Sequence, residues 1–258
     1  MTPHIKSSTV WGSHELNPPM KLSVVVPAYN EEEYISYCLD SLHRYISHDP
    51  RLLEVIVVNN ASTDRTAEVA KRFSAVNVID EPHKGANCAR QRGLDKAQGE
   101  LVAFLDADTR INETWLDRLY EHFGRSDDLV GLSGPAYFFD MPHWHKTAMK
   151  TYYSFIAQPT HKTTGYMVLG SNFVAKRESL RSIGGFDTSI PFYGDDANIG
   201  RRLSRVGRIE FDKKFVVSTS GRRMLAEGPI RVSMRYAANY ISETVFKKPV
   251  TKRYNDIR

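Results

Sequence analysis

The sequence predicts an α/β fold in which a mainly parallel β-sheet is covered by helices on both faces. Three mostly apolar segments, Leu22–Val26, Glu54–Val58 and Leu101–Leu105, have the length and composition of buried strands. Between them lie segments whose apolar residues recur at helical spacing. A polar cluster directly follows each of the three strands, and such sheets bind ligands at the carboxyl ends of their strands. The fold class therefore also predicts the edge at which a site lies.

The first half of the chain is predicted to alternate strands and helices. Pro27 ends the first strand, and a helical pattern runs from Glu31 onward. After the second strand, Ser62 or Thr63 is expected to cap a helix. That helix carries Thr66, Ala70 and Phe73; the later elements are a strand at Val76–Ile79, a helical face of Ala86, Ala89, Gly93, Leu94 and Ala97, and a helix marked by Leu116, Leu119, Tyr120 and Phe123.

The second half is less regular. Residues 143–166 are rich in aromatics and histidine with poor periodicity, Gly184-Gly185 predicts a turn, and a helix is expected to open at Asp196. We expect an N-terminal extension at 1–20 and one globular domain at 21–225, built from fused halves at 21–110 and 111–225. Residues 226–258 are expected to form a basic amphipathic tail.

Composition is ordinary for a globular protein, with 41% hydrophobic and 25% charged residues among 258. The net charge of +5 suggests polyanionic partners such as nucleotide phosphates or lipid headgroups, although many enzymes are mildly basic. The two cysteines, Cys38 and Cys88, form no metal-binding pattern or disulfide framework. With no secretory signal or membrane-spanning run in the sequence, we expect a cytoplasmic protein, with the inner membrane face as an alternative site.

Asp106 and Asp108 follow the Leu101–Leu105 strand and flank one residue. Paired carboxylates suit a hard cation, Mg²⁺ or Mn²⁺, which leaves coordination positions for diphosphate oxygens. The alternative is that both carboxylates only cap the following helix.

Two loops are candidates for nucleotide binding. Pro27, Ala28, Tyr29 and Glu31 follow the first strand, and the segment from Asn59 to Asp64 follows the second. Both loops also suit plain turns and helix caps. Lys84 and Arg90 are candidate phosphate contacts, with solvated basic side chains as the alternative.

Asp195 and Asp196 are candidate catalytic groups, since one could deprotonate an acceptor hydroxyl. Arg222 and Arg223 could neutralise a departing diphosphate, or could simply be surface arginines.

Five segments together are more specific than any one of these motifs. They are VVVPAYNEEEYI, EVIVVNNASTDRT, KGANCARQRGLDKAQGELVAFLDAD, GSNFVAKRESLRSIGGFD and YGDDANIGRRL, and they span roughly Lys21 to Leu203. In this order they resemble the family 2 glycosyltransferases, which have the GT-A fold, a Rossmann-like α/β/α sandwich with a mostly parallel central sheet.

The resemblance implies roles for individual residues. Pro27, Ala28, Tyr29 and Glu31 would contact the nucleoside, Asn59 and Asp64 would belong to the base-reading motif, and Asp106 with Asp108 would meet ribose, metal and diphosphate. Asp195-Asp196 matches the family's Glu-Asp motif, which makes Asp196 the candidate base of an inverting displacement.

The resemblance also implies substrates. A nucleotide-diphosphate sugar, a UDP-sugar first, would give a hexosyl or N-acetylhexosaminyl group to a hydroxyl of a glycan or lipid-linked glycan, in cell-envelope or polysaccharide synthesis. Two departures bear on this. Asn59-Asn60 replaces the commoner Asp-Asp, and Thr219 to Arg223 stands where many relatives place a metal-binding histidine.

Three other interpretations compete. FLDADT and GDDAN are similar to motifs of haloacid-dehalogenase-type phosphatases, although about a hundred residues before them would stay unexplained. An inactive nucleotide-binding module is a second alternative. Nucleic-acid binding is not expected, because the basic and aromatic tail suits peripheral membrane contact or helical packing better.

Overall fold

The computed structural model describes residues 20–190 and 192–251, so most of the expected N-terminal extension and the last seven residues of the tail lie outside it. Seven strands form the main sheet in the order β3-β2-β1-β4-β7-β5-β8, and two more form a small sheet. The strands are β1 (Leu22–Ala28), β2 (Leu52–Asn59), β3 (Val76–Asp80), β4 (Leu101–Phe104), β5 (Leu129–Ser133), β6 (Ala136–Phe138), β7 (Phe173–Lys176), β8 (Arg208–Phe211) and β9 (Val217–Thr219).

Helices connect these strands and cover the sheet. They are α1 (Ile35–Ile46), α2 (Thr66–Ala70), α3 (Ala86–Lys96), α4 (Trp115–Phe123), α5 (His143–Tyr152), α6 (Gln158–Thr164), α7 (Arg177–Ser182), α8 (Asp195–Leu203), α9 (Arg222–Glu227) and α10 (Pro229–Phe246). Among the described residues, no helix is both long enough and apolar enough to cross a bilayer.

The direction of the strands confirms a mixed, mostly parallel sheet. β3, β2, β1 and β4 are parallel neighbours, whereas β7 is antiparallel to both β4 and β5. Phe173, the first residue of β7, pairs with Phe104, the last residue of β4. The chain therefore enters β7 at the edge where β4 ends, and Gly170, three residues before β7, lies beside Arg90 and Asp196.

Both faces of the sheet are buried, as the apolar strands predict. Val24 and Val26 pack in one core cluster with α1 and α4, and Val25 packs in the opposite cluster with α3. A Cβ atom on Gly93 of α3 would lie 2.2 Å from Val25, so a glycine is needed for this close helix–sheet approach.

The predicted cap at Ser62 or Thr63 is wrong. α2 begins at Thr66, whose amide donates to Asp64 Oδ1 at 2.9 Å. The Ser62 hydroxyl instead accepts from the amide of Asn30, and the Thr63 amide donates to Asn30 Oδ1 at 2.8 Å. These side chains therefore join two loops rather than begin a helix.

The poorly patterned stretch after His143 is helical. A π-helical turn at Tyr153–Ala157 joins α5 to α6. Because that turn is wider than an α-helical one, it shifts the spacing of the apolar residues. The segment therefore lacks the regular apolar periodicity of an α-helix. The turn predicted at Gly184 and Gly185 is confirmed, since both residues have positive φ.

Candidate functional site

The predicted polar clusters lie along one edge of the main sheet. They follow β1, β2 and β4, and they are joined there by the first turn of α8 and the segment before β7. Register explains this placement: Ala28 at the end of β1 pairs with Asn59 at the end of β2. The expectation that residues far apart in sequence share one edge is therefore confirmed.

The loops after β1 and β2 are locked to each other. Asn30 takes a φ of 50°, a conformation in which asparagine is enriched. Asp64 Oδ2 accepts from the Glu32 amide at 3.1 Å, and the Glu31 amide donates to Thr66 Oγ1 at 2.7 Å. Burial opposes ionisation of Asp64, but the hydrogen bonds from Thr66 outweigh it and lower the pKa of that carboxyl. The structure thus shows Asp64 shaping the loop that follows Pro27 and Ala28.

Asn59 and Asn60 differ in their contacts. The buried Asn60 holds the loop before α3, because its Nδ2 donates to the carbonyl of His83 at 2.7 Å and its Oδ1 accepts from the Gly85 amide at 2.8 Å. Asn59 Nδ2 donates to Asp80 at 2.8 Å. Its Oδ1 is buried and accepts no hydrogen bond from the described residues.

Tyr29 and Lys84, two predicted nucleotide-binding residues, contact each other. Lys84 Nζ donates to the Tyr29 hydroxyl at 2.6 Å and lies 3.9 Å from the centre of its ring. This cation–π contact joins the loop after β1 to the loop after β3, both of which carry predicted nucleotide-binding residues.

Arg90 links two predicted acidic motifs. Its buried guanidinium donates to Asp195 Oδ2 at 2.6 Å and to Asp106 Oδ1 at 3.1 Å. Burial opposes its positive charge, but Asp195 and Asp106 outweigh that effect and keep the pKa of Arg90 raised. The phosphate contact expected for Arg90 stays a prediction; the structure shows this side chain holding the two carboxylates together.

Asp196 lies beside this link, in the first turn of α8. Burial and the adjacent charge of Asp195 raise the pKa of Asp196, and Arg90 opposes the shift. The nearby backbone of Gly170 also opposes the rise in the pKa of Asp196. A Cβ atom on Gly170 would lie 2.6 Å from Asp196 Oδ1 and 2.5 Å from Arg90 Nη2, so the site requires glycine there.

Asp108 has different partners. Its Oδ1 accepts from Thr219 Oγ1 at 2.9 Å, and its Oδ2 lies 3.1 Å from Arg222 Nη2. Arg222 also donates to the buried Glu31 at 2.5 Å. Burial raises the pKa of Asp108 to about 6; Arg222 opposes the shift, while Asp106 and Glu31 add to it.

Two of these residues, Gly170 and Thr219, have no role that the sequence predicts. Gly170 opens one of the family-like segments, but only its distance from Arg90 and Asp196 shows why it is glycine. Thr219 lies 111 positions after Asp108, and nothing in its local sequence indicates the contact.

The oxygen donors around Asp108 suit a hard divalent cation but supply only part of its coordination. Asp106, Asp108 and Thr219 offer carboxylate and hydroxyl oxygens, the donors that Mg²⁺ and Mn²⁺ prefer. Within residues 20–190 and 192–251, no group of three or more His, Cys, Asp or Glu side chains is arranged to hold a metal ion. The residues therefore fit a cation that completes its coordination with water or phosphate oxygens.

Several known proteins are similar to this chain. GlyA, a glycosyltransferase of Streptococcus pneumoniae, is 36% identical over 105 residues, which cover 39% of this chain and 15% of GlyA. The chain spans between 15% and 40% of the length of the curated relatives that it matches.

Solved structures show the fold. The mannosyltransferase PcManGT of Pyrobaculum calidifontis, in complex with GDP-Man and Mn²⁺, is 20% identical with a TM-score of 0.67, covering 89% of this chain and 64% of its own. Staphylococcus aureus TarS 1-349 in complex with UDP-GlcNAc is 18% identical with a TM-score of 0.62, covering 90% and 74%. The chain has the GT-A fold of these glycosyltransferases.

The sequence profile described as Glycosyl transferase family 2 matches residues 23–184, more than half of the chain. This match spans the loops after β1, β2 and β4 that form the site. The chain belongs to glycosyl transferase family 2.

Proposed function

We propose that this chain transfers a sugar from a nucleotide-diphosphate sugar to an acceptor hydroxyl, with inversion at the anomeric carbon and Asp196 as the base. The observation that carries the proposal is the position of Arg90, which joins Asp106 to Asp195. A donor diphosphate at Asp106 and an acceptor hydroxyl at Asp196 would then lie on either side of one fixed guanidinium. Family membership supports the reaction class.

The chemical step needs one proton acceptor. Asp196 takes the proton of the hydroxyl as its oxygen bonds to the anomeric carbon, and the bond from that carbon to the diphosphate breaks with both electrons leaving on oxygen. A base with a pKa above that of an ordinary aspartate suits this role, because it holds the proton more firmly. Direct displacement of this kind inverts the anomeric centre.

A UDP-sugar is the donor that we favour. Uracil presents a ring N–H donor, and Asn59 Oδ1 is a buried acceptor without a partner among the described residues. Pairing the two would satisfy both groups. Tyr29 offers a ring for the nucleoside, and TarS, one of the similar structures, was solved with UDP-GlcNAc. The transferred group in this proposal is a hexosyl or an N-acetylhexosaminyl group.

Asp106 and Asp108 would hold a divalent metal together with the diphosphate. The bound cation, Mg²⁺ or Mn²⁺, supplies positive charge that stabilises the departing phosphate. PcManGT was solved with Mn²⁺, which supports this proposal for a chain of the same fold. Arg223 donates to Tyr193 at 3.4 Å and to Glu227 at 3.1 Å in the structure, so its expected role at the leaving group stays a prediction.

We further propose that α10 rests on an anionic membrane surface, which would suit a lipid-linked glycan acceptor. Its outward stripe is apolar and exposed, with Ile230, Met234, Ile241 and Val245 at helical spacing. Arg231, Lys247 and Lys248 are exposed at its ends and complement anionic headgroups. Tyr240 and the buried Glu243 hold the opposite face against the domain.

Vesicle sedimentation tests the membrane proposal. We expect binding to vesicles that contain an anionic phospholipid and little binding to phosphatidylcholine alone, with loss of binding in the double variant Met234→Ser and Ile241→Ser. Val206→Ser, which changes an exposed apolar residue elsewhere, is the matched control. Equal sedimentation of all variants would contradict the proposal, as would a dimer in light scattering that the double variant abolishes.

Donor hydrolysis tests the proposed reaction without a known acceptor. Water replaces the hydroxyl, and proton NMR identifies the first anomer of the released sugar. An inverting enzyme releases the anomer opposite to that of the donor before mutarotation equalises the two. Release of the donor's own anomer would contradict direct displacement. Release of no sugar from any donor would favour the inactive-module alternative.

A further inference from the structure

Arg222 forms an ion pair with Asp108. Its Nη2 lies 3.1 Å from Asp108 Oδ2 and 2.5 Å from Glu31 Oε1. Both carboxylates are largely removed from water, since the side chain of Glu31 is 2% exposed and that of Asp108 is 12% exposed. One guanidinium thus stands between two buried carboxylates, at the point where the site would hold a cation.

The position of Arg222 is determined by its backbone rather than by its guanidinium. Asp140 accepts from the Ser220 hydroxyl at 2.5 Å and from the Gly221 amide at 2.6 Å, which fixes the turn just before α9. The guanidinium then packs over the Tyr34 ring, 4.7 Å from its centre. Because the backbone is anchored and the side chain is long, the guanidinium can leave Asp108 without any change in the fold.

The site carries more negative than positive charge. Two guanidinium groups, of Arg90 and Arg222, contact its carboxylates. The carboxyl groups are those of Glu31, Asp106, Asp108, Asp195 and Asp196. A divalent cation therefore meets a favourable field, but at Asp108 it also meets the positive charge of Arg222.

We infer that Arg222 competes with the divalent metal for Asp108, so that metal binding requires the guanidinium to leave Asp108 Oδ2. A metal–oxygen bond of about 2.0–2.1 Å brings Mg²⁺ much closer to this oxygen than the arginine lies. The guanidinium, 3.1 Å from Asp108 Oδ2, and a cation bound to the same oxygen would repel each other. The inference rests on the proposed role of Asp108 as a metal ligand.

Competition and assistance by Arg222 predict opposite changes in metal affinity when the arginine is removed. A residue that only helps to bind the metal or the diphosphate weakens metal binding when it is removed. If Arg222 competes, its removal strengthens binding of the metal in the absence of nucleotide. The two roles can therefore be separated by metal affinity alone, with no measurement of activity.

The experiment is titration of the purified chain with Mn²⁺ without nucleotide, with free Mn²⁺ followed by electron paramagnetic resonance. Arg222→Met keeps a long side chain over Tyr34 and removes the charge, and we expect its Mn²⁺ affinity to rise at least several-fold. Arg222→Lys keeps the charge but not the fork of donors, and we expect an affinity between those of Arg222→Met and the unchanged chain. It also carries the test if Arg222→Met fails to fold.

Arg65→Met is the matched control, because it removes the same charge from another arginine–carboxylate pair, Arg65 with Glu32, on the neighbouring loop. We expect its Mn²⁺ affinity to match that of the unchanged chain. Unchanged or weaker Mn²⁺ binding in Arg222→Met would overturn the inference, and so would an equal gain in Arg65→Met.

Asp108→Asn separates failure of this inference from failure of the proposed metal site. If Asp108→Asn binds Mn²⁺ as well as the unchanged chain, Asp108 is not a ligand and both proposals fail. If Asp108→Asn loses Mn²⁺ binding while Arg222→Met gains none, the metal site stands and only the competition is contradicted.

Discussion

Arg90 Nη1 lies 2.6 Å from Asp195 Oδ2, and this contact connects helices α3 and α8, which are 105 residues apart at that point. The second nitrogen of the same guanidinium reaches Asp106 after β4. A planar fork can hold two carboxylates at a fixed separation, which a lysine cannot do. Arg90 therefore connects the place proposed for the sugar donor, at Asp106, with the place proposed for the acceptor hydroxyl, beside Asp195.

Replacing Arg90 tests that dependence. In Arg90→Lys we expect a folded protein whose turnover falls about 10- to 100-fold, because one ammonium cannot hold both carboxylates. In Arg90→Met the buried carboxylates lose their counter-charge, and we expect a loss of about 3–5 kcal/mol in the free energy of unfolding. Urea denaturation and donor hydrolysis measure the two effects. Normal turnover in Arg90→Lys would show that the fork is not needed.

Gly170→Ala is expected to damage the site more than the fold. The added methyl would lie 2.5 Å from Arg90 Nη2 and 2.6 Å from Asp196 Oδ1, so these side-chain ends would have to shift from their positions in the site while the backbone stays in place. We expect little change in the melting temperature but a drop in kcat of at least about tenfold, since small displacements of reacting groups are costly.

Gly131→Ala is a useful control for that variant. Its methyl would meet Leu203 in the core at 3.1 Å, away from the carboxylates. We expect Gly131→Ala to lower the melting temperature more than Gly170→Ala does. We expect the turnover of its folded fraction to fall less than that of Gly170→Ala. The reverse ranking of the two variants would contradict the role given to Gly170.

Asp196→Asn removes the proposed base while preserving size. We expect kcat to fall about 10²- to 10⁴-fold, the usual contribution of a general base, with nearly unchanged nucleotide affinity. Asp195→Asn should behave differently, because Asp195 holds Arg90 and should affect both stability and turnover. Equal losses of turnover and nucleotide binding in Asp196→Asn would contradict the assignment.

His122 should make stability depend on pH. Its Nδ1 lies 2.6 Å from Glu210 and its Nε2 lies 3.0 Å from Asp212. The hydrogen bond with Asp212 is the main cause that raises the pKa of His122, with burial opposing it. Burial opposes ionisation of Asp212, but the hydrogen bond from His122 outweighs it and lowers the pKa of Asp212 to about 2.

The raised pKa of His122 predicts that this contribution to stability falls as the pH rises. The folded pKa of His122 lies above the unfolded value of about 6.5, so its stabilisation is complete below that value and is lost as pH rises through the folded pKa. We expect the unchanged chain to lose about 1–3 kcal/mol more than His122→Gln between about pH 5.5 and about pH 9. Urea denaturation at both pH values measures this, and parallel changes in the two proteins would contradict it.

Much of the fold can be predicted from the sequence because both faces of the sheet are buried. β1, β2 and β4 are mostly apolar, and the polar side chains that follow them had to meet at one edge. The antiparallel direction of β7 could not be predicted, because it depends on how the chain returns through α5, the π-helical turn and α6.

The residues of the candidate site stand out in the sequence, but their contacts with one another do not. Asp106, Asp108 and Asp196 stand out locally, whereas Arg222 meets Glu31 across 191 residues and Thr219 meets Asp108 across 111. Such partners are chosen by tertiary structure, so no local pattern marks them. Arg90 was expected to face phosphate, and its position between two carboxylates emerged only from the packing of α3 against α8.

We propose that this edge of the sheet holds a nucleoside diphosphate beside Asp106 and Asp108. Calorimetric titration with UDP, GDP, CDP and TDP, each with and without Mn²⁺, tests it most directly. We expect UDP to bind most tightly, and we expect Mn²⁺ to strengthen its binding in the unchanged chain but not in Asp108→Ala. Absence of binding by all four nucleotides in both conditions would contradict the nucleotide site itself.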